Sequence, residues 1–423
     1  TRRMATLGVA KTASAEMASL IFNEKCEISI SDESTAEFVK DVFRNNDFNK
    51  KFQDYLEYSF ALGGAVIKPY VKNDKVMLSY VTADCFIPIS WDNETIREAV
   101  FPSEFWKGTK KYTHLEWHLW EGEEYVIRNE VYESSSGSDL GVKVSLETFL
   151  PGIEAETRIS GLERPLFVYF KPNIANNIDT KSPLGISIFA NALDTMKAID
   201  TAFDSFHREF RLGKKRIIVP SHMVKAVVDP QTGRTHRYFD ANDEVYEAFN
   251  TSGMDDDKIV DINVELRVDE HISAINALLN WFAVQIGFSA GTFTFDGTSM
   301  KTATEVISEQ SKTFKTKQSH EVIIEAALQE LVHSIIDVAR LYDLFNGTNE
   351  FDVTIQFDDS IAEDHTAEVN RAVLLVNNRL LSRKRALMKI HGLTEEEAQE
   401  WLEEINAESA VSTTEVIDFF GRE

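Results

Sequence analysis

From Lys301 to Asn346 the chain runs without a proline or a glycine. At its head, Thr302-Ala303-Thr304-Glu305 has the form of a capping box, in which a threonine hydroxyl and a glutamate carboxylate satisfy backbone donors that a helix start leaves free. The run therefore predicts one helix ending near Phe345, roughly 44 residues and some 65 Å long at 1.5 Å per residue. Helices of globular domains average about 10–14 residues, so this one is too long for a compact core. Its first third, SEQSKTFKTKQSH, is polar on nearly every side, whereas VIIEAALQELVHSIIDVARLYDLF is apolar on most faces. One helix crosses two environments.

A second long helical pattern precedes it, and the joint between the two is the loop GTFTFDGTSMK. Upstream of the loop, Ile272, Ile275, Leu279, Phe282 and Ile286 recur at three- and four-residue spacing, a seam for packing on one neighbour. Further upstream, Phe189, Ala192, Met196, Ile199, Phe203, Phe206 and Phe210 form a stripe on a helix bracketed by Pro183 and Gly213. Between these helices, the runs RIIVP, RTHRYFD and KIVDINVELRV, separated by turns at Pro230–Gly233 and Ser252-Gly253, predict a small β-rich insert.

The first section mixes helix and sheet. Phe38, Val42, Phe52, Leu56 and Phe60 repeat with helical spacing up to a stop at Gly63-Gly64. Two β-rich runs around Asn73-Asp74 read as a hairpin, and a second alternating pair turns at Glu121-Gly122. ESSSGSDLGVK reads as an exposed loop tip. After Asn346-Gly347 come a strand, EFDVTIQFDDS, and at least two short helices divided near Leu381-Ser382 and His391-Gly392.

Charge limits the partners. Of 423 residues, 69 are acidic and 44 basic, a formal charge of −25. Such a surface repels phosphate, so a nucleic acid would be guided more than gripped. Cys26 and Cys85 cannot supply a disulfide framework and read as buried thiols of a reducing compartment. No apolar run approaches the ~20 residues that span a bilayer, which predicts a soluble protein with no membrane partner.

Catalytic signatures are missing. The sequence holds no phosphate-binding loop with a terminal Gly-Lys-Ser/Thr, no Gly-x-Ser-x-Gly and no His-Glu-x-x-His. Asp255-Asp256-Asp257 point in different directions on a turn, and His114 and His118 fall in a strand pattern, so no metal, cofactor or catalytic residue is expected. Basic residues cluster at Lys214, Lys215 and Arg216, where they complement a helix C-terminus. A second cluster, Arg379, Arg383, Lys384, Arg385 and Lys389, lies on the late helices. Both read as solvated faces first and as possible DNA-facing groups second.

The order of these pieces, with SPLGISIFANALDTMKAIDTAFDSFHREFRLGKKRIIVP, GFSAGTFTFDGTSMKTATEVISEQSKTF, GGAVIKPYV and VTADCFIPISWDNETIREAVF, resembles the portal proteins of tailed bacteriophages, the type found in siphophages of Gram-positive hosts. The likeness extends over nearly the whole chain. It implies an α+β fold in which residues 1–212 form a wing and the helix leading to the stem. Residues 213–267 are the clip and adjoining stem, 268–288 the stem helix, and 289–301 the tunnel loop. Residues 302–361 are the long helix and a wing strand, and 362–423 a short crown and tail.

The resemblance also implies a dodecameric ring at one capsid vertex, in the virion after assembly in the host cytoplasm. It acts as a conduit for double-stranded DNA in packaging and ejection. Terminase large subunit, a head-completion or adaptor protein, and the major capsid and scaffolding proteins are the implied partners. Thr292, Phe293, Thr294, Phe295, Asp296, Gly297, Thr298 and Ser299 would line the channel. The clip turns Gln231, Thr232, Gly233, Ser252 and Gly253 would offer partner surface. The other reading is an oligomeric helical scaffold or head–tail adaptor with no DNA channel.

Overall fold

The computed structural model describes residues 3–93, 95–135, 139–213, 216–218, 225–228, 230, 233, 235–238, 260–262, 265–294, 303–348, 350–358, 365–391, 398–399, 401–403 and 405. In chain order it begins α1 (Val9–Ile21), β1 (Glu27–Ile30), α2 (Glu33–Asn45), α3 (Phe48–Leu62), β2 (Ala65–Lys72), β3 (Lys75–Thr82), β4 (Ile87–Asp92), β5 (Thr95–Lys107), β6 (Lys110–Glu121) and β7 (Glu124–Ser134). Next come β8 (Val142–Val144), α4 (Leu146–Phe149), β9 (Glu156–Ser160), β10 (Val168–Phe170) and α5 (Leu193–Leu212). Four short strands follow, β11 (Arg216–Ile218), β12 (Lys225–Val228), β13 (Thr235–Tyr238) and β14 (Val260–Ile262). The chain continues through α6 (Val268–Gln285), α7 (Ala303–Leu341), β15 (Val353–Gln356), α8 (His365–Asn377) and α9 (Arg383–His391).

Two compact units result. One gathers Thr1–Gly8, Leu193–Phe282 and Phe293–Phe295, and the other Val9–Ala192, Ala283–Thr292 and Asp296–Glu423.

In the larger unit, β4 to β9 form an antiparallel sheet in which both β8 and β9 pair with β7. The β2–β3 hairpin turns through Asn73 and Asp74 at φ 52° and 55°, the left-handed pair that a two-residue turn on twisted strands requires. α3 stops at Gly63, whose φ of 91° closes the helix. One correction concerns the segment before it, where continuous apolar spacing suggested a single helix and the structure has two. Asn46 is buried, and its side chain bonds Val42 O, Val76 O and the Leu78 N–H, tying the chain to β3. Asp47 then turns at φ 50° to restart the helix as α3.

A polar chain links the large sheet to β2. Lys68 Nζ meets Glu116 at 2.6 Å and lies 4.1 Å from the centre of the Phe101 ring, while His118 Nε2 donates to the other Glu116 oxygen at 2.8 Å. Burial pushes the Glu116 carboxyl up, but the His118 and Lys68 bonds outweigh it and hold the group well below its ordinary range. With Nε2 protonated and burial keeping His118 neutral, Nδ1 accepts from the Tyr125 hydroxyl at 2.7 Å. Truncating one member of such a pair would strand a buried charge, which costs about 3–5 kcal/mol.

α7 is the spine of this unit. Val338 packs with Tyr125 and Leu166, Gln329 donates to Val353 O on β15, and Arg164 pairs with both Glu330 and Asp337. β15 pairs with β1, joining the strand after α7 to the first section. The helix has 39 residues, about 58 Å. It ends at Leu341 and not near Phe345, because Asp343 adopts φ 54° and Leu344 N–H returns to Ala339 O at 2.8 Å. Of the expected capping box, Thr302 lies outside the described residues.

The helix carrying the phenylalanine stripe also begins later than Pro183 suggested. α5 starts at Leu193. The residues before it are committed elsewhere: Gly185 N–H donates to the Tyr169 hydroxyl at 2.9 Å, Lys171 donates to Pro183 O, and Ile188 N–H donates to Phe60 O. Phe189 therefore precedes the helix.

In the smaller unit, β11 pairs with β14 and β12 with β13, so the β-rich insert between helices is present. Arg267 grips Glu209 with two nitrogens at 3.1 and 3.0 Å, and a Cβ on Gly213 would lie 2.4 Å from the Leu266 side chain. The two ends of the insert thus meet at one neck.

Candidate functional site

The joint between α6 and α7 is built from backbone geometry and short polar side chains. At the end of α6, Gly287 takes φ 90° and Phe288 N–H reaches back to Ala283 O at 2.8 Å, a six-to-one closure that needs a left-handed residue. A side chain there is excluded, since a Cβ would lie 2.6 Å from Thr316 Cγ2. Lys312 Nζ donates to Val284 O, one of the carbonyls the helix end leaves free. Ser289 N–H then donates to Thr313 Oγ1 at 2.8 Å, and Thr313 N–H donates to Ser289 Oγ at 3.2 Å. The Thr292 hydroxyl closes a small turn onto Ser289 O at 2.7 Å. The loop thus leaves from a root fixed to α7, and Gly291, at φ 90°, has open space where a side chain would be.

Of the loop residues, Thr292 is exposed, while Phe293 and Thr294 are half-buried. The Phe293 ring lies 6.1 Å from Phe282. Phe295, Asp296, Gly297, Thr298 and Ser299 lie outside the described residues. On the seam, Ile275, Leu279, Phe282 and Ile286 are buried within the single chain, Ile272 is half-buried, and Ile286 falls just past the end of α6.

A family model described as phage portal protein, SPP1 Gp6-like, matches residues 1–410. The chain belongs to that family. As a portal protein it is a structural component of the capsid vertex, and the match spans every element above. No individually curated protein matches it.

Other expected portal positions are distributed as follows. Gly233 lies in the connection between β12 and β13 at φ 65° and is exposed. Gln231, Thr232, Ser252 and Gly253 are outside the described residues, as are Lys214, Lys215 and the Asp255–Asp257 run. Arg216 begins β11. Arg379 follows α8, and Arg383, Lys384 and Arg385 open α9. Cys26 and Cys85 are free and half-buried, not fully buried. Among the described residues no group of His, Cys, Asp and Glu could hold a metal ion, and no helix is long and apolar enough to cross a membrane.

One feature of the portal protein escaped the sequence reading. Lys317, His320 and Glu321, in the polar third of α7, are all buried. Lys317 and Glu321 pair at 2.5 Å. Asn173 N–H donates to His320 Nδ1 at 3.0 Å, and Asn173 Nδ2 donates to Ser319 O at 2.7 Å. Because Nδ1 accepts, the ring proton sits on Nε2, and burial lowers the His320 pKa to about 4. A signal existed: Lys317, Glu321, Ile324, Leu328, Leu331 and Ile335 alternate four- and three-residue steps, so the polar pair is in phase with the apolar stripe.

Proposed function

We propose that twelve copies of this portal protein close a ring whose narrowest lining is the loop of residues 289–301, and that double-stranded DNA slides through it during packaging and ejection. The observation that carries this reading is the loop root. Ser289 and Val284 are each bonded to α7 and Gly287 lies close against it, while the loop itself is made of small residues with few bulky groups. A loop held at its base and light at its tip shifts around a duplex at little steric cost. The net charge of −25 suits a conduit, because dense phosphate contacts would stall sliding.

The insert of residues 213–267, closed at its neck by Glu209 and Arg267, serves in this reading as the clip. It meets the terminase large subunit first and a head-completion or adaptor protein later. The body of the ring faces the major capsid and scaffolding proteins. Negative-stain imaging of the purified protein tests the proposal: closed rings with an opening wide enough for a duplex support it, and open arcs or filaments contradict it. Replacing the insert should spare the ring and abolish terminase capture.

A further inference from the structure

α5 and α6 leave the neck in opposite senses. Gly213 lies against Leu266, Glu209 pairs with Arg267, and the Phe206 ring lies 5.5 Å from His271, so one helix descends in sequence as the other climbs. Each also carries a straight exposed stripe. On α5, Lys197, Thr201, Ser205 and Arg208 recur at four- and three-residue steps and are all exposed. Asp200 and Asp204 are held by the Leu7 and Ala5 N–H groups and Glu209 by Arg267, which leaves Asp194 as the one exposed acid of the helix and the stripe basic. The Thr201 hydroxyl donates to Lys197 O at 2.8 Å and needs no outside partner.

On α6, Glu270, Ala274, Ala277 and Trp281 recur in the same way and are all exposed, Trp281 at 58%. This is not the seam, whose Ile275, Leu279 and Phe282 are buried within the chain. The two stripes also keep step. At 1.5 Å per residue, Arg208, Ser205, Thr201 and Lys197 stand about 2, 6, 12 and 18 Å from Glu209. Glu270, Ala274, Ala277 and Trp281 stand about 5, 11, 15 and 21 Å from its partner Arg267. Base therefore faces acid nearest the neck, small residues face small residues along the middle, and a lysine faces the tryptophan at the far end.

We infer that the α5 stripe of one copy docks on the α6 stripe of the next copy in the ring. The inference rests on the ring reading. A ring contact is head-to-tail, so it takes two different surfaces from each subunit, and rotation alone brings them together at the same level. The matched spacing from the neck meets that condition. Exposed tryptophan is the residue type that most often anchors an interface, and an ammonium over its ring adds a cation–π contact. Subunits of net charge −25 repel one another, and a local contact of unlike charge opposes that repulsion and sets register. Duplex DNA is the competing occupant of the basic stripe.

The test is native mass spectrometry of the full-length chain across a salt series. R208E and E270R should each need a roughly tenfold higher protein concentration than wild type to form rings at low salt, and should recover as salt screens the contact. R208E/E270R should restore wild-type assembly, which a folding defect in either single variant would not allow. W281A should weaken assembly at every salt. Rings of R208E or of W281A indistinguishable from wild type at every salt would overturn the inference and leave the ring reading standing, as would a double variant no better than the single ones. R208E rings that stay intact and lose only their retention of duplex DNA would overturn it too, by assigning the stripe to nucleic acid. A wild-type protein that forms no ring would remove the ring reading and this inference with it.

Discussion

Ser289 and Thr313 hold each other by exchange: each backbone N–H donates to the other's hydroxyl oxygen, at 2.8 and 3.2 Å. One partner lies in the loop and the other inside α7, so the bond pair sets where the loop departs. Thr313→Val removes the acceptor of the buried Ser289 N–H while keeping the shape of the side chain. An unsatisfied buried donor costs about 1–3 kcal/mol. We expect amide exchange at residues 289–292 to accelerate by roughly fivefold to a hundredfold, with α7 protection beyond residue 320 unchanged. Unaltered protection at the loop root would show that the bonds do not anchor it.

Asn173 and His320 make stability depend on pH. The folded pKa of His320 is lowered by burial to about 4, below the unfolded value near 6.5, so the unfolded chain binds more protons between those limits. Its contribution is therefore complete above about pH 6.5 and is lost as pH falls toward 4. The slope is up to about 1.4 kcal/mol per pH unit. His320→Asn retains an acceptor for the Asn173 N–H and removes the titration. Urea denaturation at pH 6.5 and pH 5 should show a smaller loss of stability in the variant, and an equal loss would refute the assignment.

The seam on α6 predicts a cost in the subunit before it predicts one in the ring. Leu279 is 1% exposed. Leu279→Ala should destabilise the folded chain by about 2–5 kcal/mol in chemical denaturation. Leu279→Asp, which buries a charge, should yield no rings by native mass spectrometry. Normal ring assembly by that variant would rule the seam out as a structural contact.

Much of the fold was legible where one residue type serves one backbone need. Asn73-Asp74 and Gly63 announced a hairpin and a helix end because few residues accept positive φ. The joint at Asn46-Asp47 was hidden because its cause is tertiary: the Asn46 amide is claimed by Val76 and Leu78, while the apolar spacing runs on across the break. Asp343, at φ 54°, ended α7 in place of the glycine four residues later. The buried Lys317–Glu321 pair was missed because polarity was read as exposure. Only its phase with Ile324 and Leu328 marked it as core.

In the proposed ring, residues 289–301 would line the narrowest part of a DNA channel, with Asp296 bringing negative charge near the duplex. Twelve such carboxylates would repel DNA weakly, since the Debye length at physiological salt is about 8 Å. Asp296→Arg replaces that repulsion with as many as twelve phosphate attractions, each adding to a salt-dependent grip. The most direct measurement is the rate of DNA packaging by particles built on Asp296→Arg rings, compared with wild type across ionic strength. The account predicts normal ring assembly and packaging that slows or stalls, most severely at low salt. Packaging at the wild-type rate at low ionic strength would contradict it.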